Sequence, residues 1–186
     1  MKESGEIKRT RSDRLVDTRF VLTIKHDENG KDLVKARWVA RGFKDPDALK
    51  LVYWNQTAAP TVSQNARMLA LRLAASNRWR LQIGDIRGAF MESDPLQRPD
   101  GPLYAKQPPG GLPGLHPDQV VELVLPLYGL DDAPCRWYSK ISGWLTDATS
   151  NEGKAWTRSK LDPCLFLLRM IGIFCAVCWW FTSTMC

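Results

Sequence analysis

Cysteine is missing from the first 134 residues, histidine occurs twice, and no apolar stretch is long enough to cross a bilayer. Each absence excludes something. The five cysteines (Cys135, Cys164, Cys175, Cys178, Cys186) are odd in number and irregular in spacing, and with none before Cys135 no disulfide framework organises most of the chain. Cys175-Ala-Val-Cys178 has the C-x-x-C form. It lacks a second pair, and His26 and His116 lie far off in sequence, which argues against a structural zinc. The opening MKESGEIKRTRSDR has no apolar core, so it does not read as a secretory signal. The longest apolar run, Met170–Phe181, covers 12 residues, against the roughly 20 that a membrane helix needs. Together these features point to a reducing, intracellular setting, cytoplasmic or nuclear, with no membrane partner.

What is present is ordinary in amount and uneven in placement. An apolar fraction of 44% and a charged fraction of 25% over 186 residues exclude global disorder, collagen and coiled coil. The net charge of +6 is concentrated toward the amino terminus: residues 1–50 carry 13 Lys and Arg against 9 Asp and Glu, while residues 101–186 balance at 7 and 7. A basic amino-terminal half fits a polyanion partner, although a solvated surface with a modest surplus accounts for it equally well.

Two apolar runs, FVLTIK (20–25) and LVKARWVAR (33–41), flank a polar loop containing Asn29-Gly30, which predicts a hairpin over about 20–41. Lys35, Arg37 and Arg41 share one parity of its second strand, and Val34, Trp38 and Ala40 the other. That pattern suits a phosphate-facing hairpin, or an edge strand protected by charge. Ser63 is a candidate N-cap for a helix over 63–77, with Met68, Leu69, Leu71, Leu73 and Ala75 on its apolar side. The alternation of Trp79, Leu81 and Ile83 with Arg80 and Gln82 predicts a strand over 79–86, with Asp85 on the apolar parity. A lone buried carboxylate there would be costly, so Asp85 belongs at a strand end, at a cap, or on a cation. Residues 94–119 hold seven of the twelve prolines and read as loop. Short strands are expected at 120–125 and 165–168, and a helix over 131–146 that packs on strand 79–86 through Leu81, Ile83, Trp137 or Ile141.

Seven stretches, in order, resemble the reverse transcriptase domain of copia-type retrotransposon Pol polyproteins. They are Lys35–Phe43 (KARWVARGF), Thr57–Val62 (TAAPTV), Leu81–Phe90 (LQIGDIRGAF), Tyr104–Gly110 (YAKQPPG), Leu127–Leu130 with Ala133-Pro134, Arg136-Trp137-Tyr138, and Asp162–Phe166 (DPCLF). The resemblance covers about residues 16–169. It implies an α+β fold, the partial fingers (about 16–60) and palm (about 61–169) of a right-hand polymerase, after a polar lead-in (1–15) and before an unrelated apolar tail (170–186). It implies nucleotidyl transfer with two Mg²⁺ ions, on an RNA or DNA template-primer with a dNTP. Asp85 would be the first metal ligand and the catalytic carboxylate, and the carbonyl of Ile86 a second oxygen donor. Phe90 would lie under the nucleotide sugar. Lys35, Arg37 and Arg41 would hold triphosphate, and Tyr128 and Gly129 would underlie the template-primer.

The chain departs from that pattern in two places. Asp131 and Asp132 stand where the family carries Lys and Gln; their position before a helix suits N-capping, and the spacing from Tyr128 does not fit a Y-x-D-D motif. No Asp or Glu follows Asp162, whereas the family places an Asp-Asp pair on a hairpin after D-P-C-L-F. One carboxylate does not neutralise two mutually repelling Mg²⁺ ions. The expectation is therefore a reverse transcriptase fragment inactive by itself. The alternatives are a non-catalytic nucleic-acid-binding remnant or a protein anchored to a membrane by its tail.

Overall fold

The computed structural model describes residues 2–3, 11–26, 29–147, 156–170 and 173–178, and the chain divides into two compact units. The first unit combines Met1–Ala58 with Gly88–Trp137; the second combines Ala59–Arg87 with Tyr138–Cys186.

In the first unit a four-stranded sheet runs in the order β1-β6-β5-β2, with β1 at Lys2–Glu3, β2 at Leu15–Val16, β5 at Tyr104–Lys106 and β6 at Gln119–Glu122. β2 pairs parallel with β5, and the other pairings are antiparallel. A separate hairpin joins β3 (Thr18–His26) to β4 (Asp32–Ala40) in unbroken antiparallel register, from Thr18 opposite Ala40 to His26 opposite Asp32. The hairpin expected at 20–41 is thus present. Its apolar parity is less buried than a core face would be: Leu22, Ile24 and Val34 each keep about two thirds of their surface. Burial begins at the hairpin base, where Ala40 joins a core of Val16, Leu103, Ala105, Leu123, Leu127, Leu130 and Ala133. Thr18 fastens that base to β5. Its hydroxyl donates to the Lys106 carbonyl (2.6 Å) and accepts from Trp38 Nε1 (2.7 Å).

Beside this small core lies a buried group of charges. Arg14 makes a two-pronged pair with Asp47 (2.7 and 2.8 Å), and both side chains are essentially fully buried. Arg98 Nη2 donates to Asp45 (2.9 Å) and Asp132 (3.0 Å), and the second Asp132 oxygen accepts from Arg136 Nε (2.6 Å). Three arginines thus meet three aspartates, and the pairing offsets a desolvation that would otherwise exclude these groups from an interior. Two pKa shifts with different causes record the balance. The hydrogen bond from Arg14 to Asp47 raises the Arg14 pKa, whereas burial raises that of Asp45 in spite of Arg98. The carboxylate of Asp132, expected as a helix cap, is taken up by two arginines, while Asp131 is exposed.

The network holds three elements. Asp45 and Asp47 precede helix α1 (Ala48–Tyr53), Asp132 immediately precedes helix α3 (Ala133–Thr146), and Arg14 lies just before β2. α3 falls within the expected 131–146 and begins two residues late.

In the second unit helix α2 (Gln64–Ser76) matches the expected 63–77, with Ser63 Oγ accepting from the Ala66 amide (3.2 Å). Its buried residues are Ala66 and Ala74; Met68, Leu69, Leu71 and Leu73 each remain about two-fifths exposed, so the expected apolar side is only half covered. The helix stops in a Schellman turn. The amides of Arg78 and Trp79 donate to Ala75 and Ala74, and Arg78 takes a left-handed φ of 54° where glycine is preferred. Asp162 clamps the helix start, its buried carboxylate accepting from the amides of Ser63 and Cys164 (both 2.8 Å). A sheet of order β7-β8-β9 completes the unit, with β7 at Thr157–Arg158, β8 at Leu165–Met170 and β9 at Ile173–Cys178. The strand expected at 165–168 is therefore longer and pairs with part of the apolar tail, Met170 opposite Ile173 and Leu165 opposite Cys178. Residues 171–172 and 179–186 of that tail lie outside the described residues.

One expected element does not form. Residues 79–86 are irregular, Leu81 keeps two thirds of its surface, and Ile83 is fully exposed, so neither is buried as the expected packing requires. A strand is stable only where a neighbour takes its backbone N–H and C=O groups. Among the described residues no strand pairs with this segment.

Removing one partner of the Arg14–Asp47 pair leaves a buried charge uncompensated. Asp47→Ala is expected to lower unfolding free energy by about 3–5 kcal/mol, whereas Arg14→Met with Asp47→Leu loses far less. Urea denaturation of both variants and the wild type, followed by circular dichroism, checks the difference.

Candidate nucleotide-contact site

The last residues of β4 meet the Leu127–Leu130 turn in an unusually close backbone contact. The Ala40 amide donates to the Tyr128 carbonyl (2.7 Å). Gly129 has φ +89°, and a Cβ there would fall 2.2 Å from the Ala40 oxygen and 2.7 Å from Val39 Cγ1. A Cβ on Gly42 would fall 2.0 Å from the Gly129 oxygen. Only glycine at both positions lets the two segments lie this near each other.

Phe90 completes the junction. It lies in a short 3₁₀ turn (Ala89–Glu92) introduced by Gly88 at φ +67°, and it packs on the same core. Its ring centroid is 5.0 Å from that of Tyr128, with the planes tilted by 55°, a favourable aromatic geometry. Arg41 follows the end of β4, its amide bonded to the Asp17 carbonyl (2.9 Å). Of the residues singled out from sequence, Phe90, Tyr128, Gly129 and Arg41 therefore share one junction. Lys35 and Arg37 stand further along β4, opposite Thr23 and Val21. Lys35 is exposed; Arg37 is partly buried, and its Nη1 donates weakly to Thr23 Oγ1 (3.4 Å).

Asp85 and Ile86 are placed differently. They belong to the second unit, in the irregular segment, and both are exposed. Asp85 thus has an open carboxylate and no strand end, and it forms no ion pair with Arg87 among the described residues. Among those residues, moreover, no group of three or more His, Cys, Asp or Glu side chains stands close enough to hold a metal ion. The described donor set does not fit a pair of Mg²⁺ ions, which require several converging oxygens.

Two carboxylates that composition and spacing do not single out prove structurally important. Asp17, between β2 and β3, bridges Lys44 (2.7 Å) and Lys106 (2.8 Å), and these hydrogen bonds, Lys106 first, hold its pKa down to about 2. Asp162 is visible in the sequence only as part of a motif. Burial pushes its pKa up, and the hydrogen bonds from Ser63 and Cys164 outweigh that and leave it lowered. Lys44 and Lys106 lie far from Asp17 in sequence, as Ser63 does from Asp162, so no local signal announces these contacts.

Comparison with known proteins decides what this arrangement belongs to. Residues 6–158 match the family model described as reverse transcriptase (RNA-dependent DNA polymerase). The chain belongs to the reverse transcriptase family. Its curated relatives include the retrovirus-related Pol polyprotein from transposon RE1 of Arabidopsis thaliana, 27% identical over 83% of this chain and 10% of that protein. The Ty1-NL2 Gag-Pol polyprotein of Saccharomyces cerevisiae is 30% identical over 85% of this chain and 8% of its own length. The Pol polyprotein from transposon TNT 1-94 of Nicotiana tabacum is 27% identical over 84% and 11% respectively. The chain thus spans about a tenth of the length of these relatives. No solved structure matches it. The reverse transcriptase match begins ten residues before the expected start at 16, and it stops short of Asp162–Phe166. No described helix is long and apolar enough to cross a membrane.

The Asp17 bridge makes a pH-dependent contribution at the base of the reverse transcriptase hairpin. Its folded pKa lies below the unfolded value of 3.8, so the stabilisation is fully present above about pH 4 and is lost as pH falls toward 2. The contribution is at most about 2 kcal/mol, and lower after screening of the two half-exposed lysines. Asp17→Asn should remove it at neutral pH and flatten the stability profile between pH 4 and 2. Denaturation midpoints measured across that range provide the check.

Proposed function

We propose that this chain is a phosphate-binding portion of a retrotransposon reverse transcriptase that does not by itself complete a catalytic centre. The observation that carries the reading is the junction at the hairpin base, where Gly42 and Gly129 bring the end of β4 against the Tyr128 turn and Phe90 packs on Tyr128. In this reading Lys35, Arg37 and Arg41 hold the phosphates of an incoming deoxynucleotide, Phe90 faces its sugar, and Tyr128 and Gly129 support the template-primer. Asp85 is the chain's contribution to the metal site of the family.

The carboxylate count supports the second half of the proposal. Asp85 is exposed without a neighbouring acid cluster among the described residues, and no Asp or Glu follows Asp162 in this sequence. Positioned metal ions supply much of a polymerase's barrier reduction, and each 1.4 kcal/mol is about tenfold in rate. A single carboxylate leaves nearly all of that out of reach of the chain alone.

Binding and synthesis should therefore separate. The purified chain should bind a deoxynucleoside triphosphate, and replacing Lys35, Arg37 and Arg41 together by Ala should weaken that binding roughly tenfold or more, at about 0.5–1 kcal/mol per exposed ion pair. The same preparation should give no primer extension on an RNA template with Mg²⁺ or Mn²⁺. Templated synthesis abolished by Asp85→Asn would overturn the inactivity. Triphosphate binding untouched by the triple substitution would overturn the assignment of the cations.

A further inference from the structure

The sheet of the second unit has one edge built unlike the other strand edges of the chain. β9 (Ile173–Cys178, IFCAVC) pairs along its whole length with β8, without a bulge, from Met170 opposite Ile173 to Leu165 opposite Cys178. Among the described residues no strand pairs with its other edge. Helix α2 lies against β9, but the backbone groups of a helix interior are bonded within the helix and do not pair with a strand edge. Open edges are templates for another strand, and proteins blunt them with charge, proline, bulges or shortness. The other edges of the described sheets follow that rule. β1, β2 and β7 have two residues each, and both hairpin strands carry cations, Arg19 and Lys25 on β3 and Lys35 and Arg37 on β4. β9 has six residues and neither charge, proline nor glycine.

We propose that β9 is a self-association edge, through which two copies of this chain join by antiparallel β9–β9 pairing into one sheet of order β7-β8-β9-β9-β8-β7. An antiparallel pair of identical strands is self-complementary and sits on a two-fold axis. Pairing the full strand with its copy puts that axis between Cys175 and Ala176, with Ile173 opposite Cys178 of the second copy. It supplies about six inter-strand hydrogen bonds, two for every second residue. The outer edges of the joined sheet are then the two β7 strands, each only Thr157–Arg158, short and charged, so growth stops at two copies. Segment 79–86 is the rival occupant of the edge, because it too is patterned as a strand and unpaired. It belongs to the same unit without pairing there, and it carries Gly84 and Asp85, residue types depleted in strands. The pairing is independent of the phosphate reading of Lys35, Arg37 and Arg41.

Sedimentation equilibrium of the full chain tests this, with a thiol reductant present throughout so that a cysteine cross-link plays no part. At concentrations on the order of 100 μM the mass should approach twice 21.1 kDa and fall toward 21.1 kDa on dilution. Ala176→Lys sets two like charges close together across the axis and should raise the dissociation constant about tenfold or more. Thr157→Lys, on the short edge at the far side of the sheet, should leave it unchanged. Circular dichroism confirms that each variant is folded. Hydrogen exchange on the wild type needs no variant: alternate β9 amides, those not bonded to β8, should gain protection as the concentration rises. A mass of 21.1 kDa at every concentration, or β9 protection that does not change with concentration, would refute the pairing. So would a mass that grows past two copies, which marks open-ended association. Dissociation by Ile83→Lys equal to that by Ala176→Lys would give the edge to segment 79–86 of the second copy and also overturn the proposal.

Discussion

Arg14, Arg98 and three aspartates buried in the first unit, with the partly exposed Arg136 at their edge, are the constraint on which its geometry depends. A single unpaired charge at any of the five buried positions is excluded from an interior by desolvation, so these groups must be in place together. Arg98 is the centre. One of its nitrogens is shared between Asp45 and Asp132, and its Nε lies 4.0 Å from Asp47, which is itself held by Arg14. Its Nε and Nη1 make no hydrogen bond among the described residues, so the guanidinium is held chiefly by charge and not by a full set of directed contacts. The surrounding apolar core is small and contains three alanines among its eight buried residues.

The segments this ionic group gathers frame the junction at the hairpin base. Asp45 and Asp47 fix the chain just after Gly42, and Asp132 fixes it just after Gly129, so the two glycines are held against each other from both sides. The close contact then seats the end of β4 on the Tyr128 turn, and Thr18 and Asp17 tie the start of β3 to β5. Beyond that base the hairpin receives little packing, and its outer apolar residues stay exposed. The hairpin thus carries its cations beyond the packed base. It also places several of the cations of the first 50 residues on one face instead of scattering them.

Local signals are legible in the sequence. Asn29-Gly30 between alternating runs marks the hairpin, Ser63 marks the start of α2, and the Asp132–Arg136 spacing lies within about one helical turn. The family resemblance rests on short ordered stretches, and the match to the family model supports it. Long-range constraints are not legible. Asp45 and Asp47 are far from Arg98 in sequence, and nothing in their immediate neighbours marks them as buried. Segment 79–86 shows the reverse case: its alternation is that of a strand, but alternation states only which face a strand would bury, and a ladder partner must exist before the strand forms.

Native-state hydrogen exchange on the wild-type chain and on Arg98→Met tests most directly whether the buried ionic knot organises the junction. The informative amides are Leu51, bonded to Asp47; Arg136, bonded to Asp132; and Ala40, bonded to the Tyr128 carbonyl and to no member of the knot. If the knot holds these segments as one body, all three should lose protection together and by similar factors in Arg98→Met. Loss confined to Leu51 and Arg136, with Ala40 exchanging at its wild-type rate, would show that the hairpin base stands without the knot and would contradict the account.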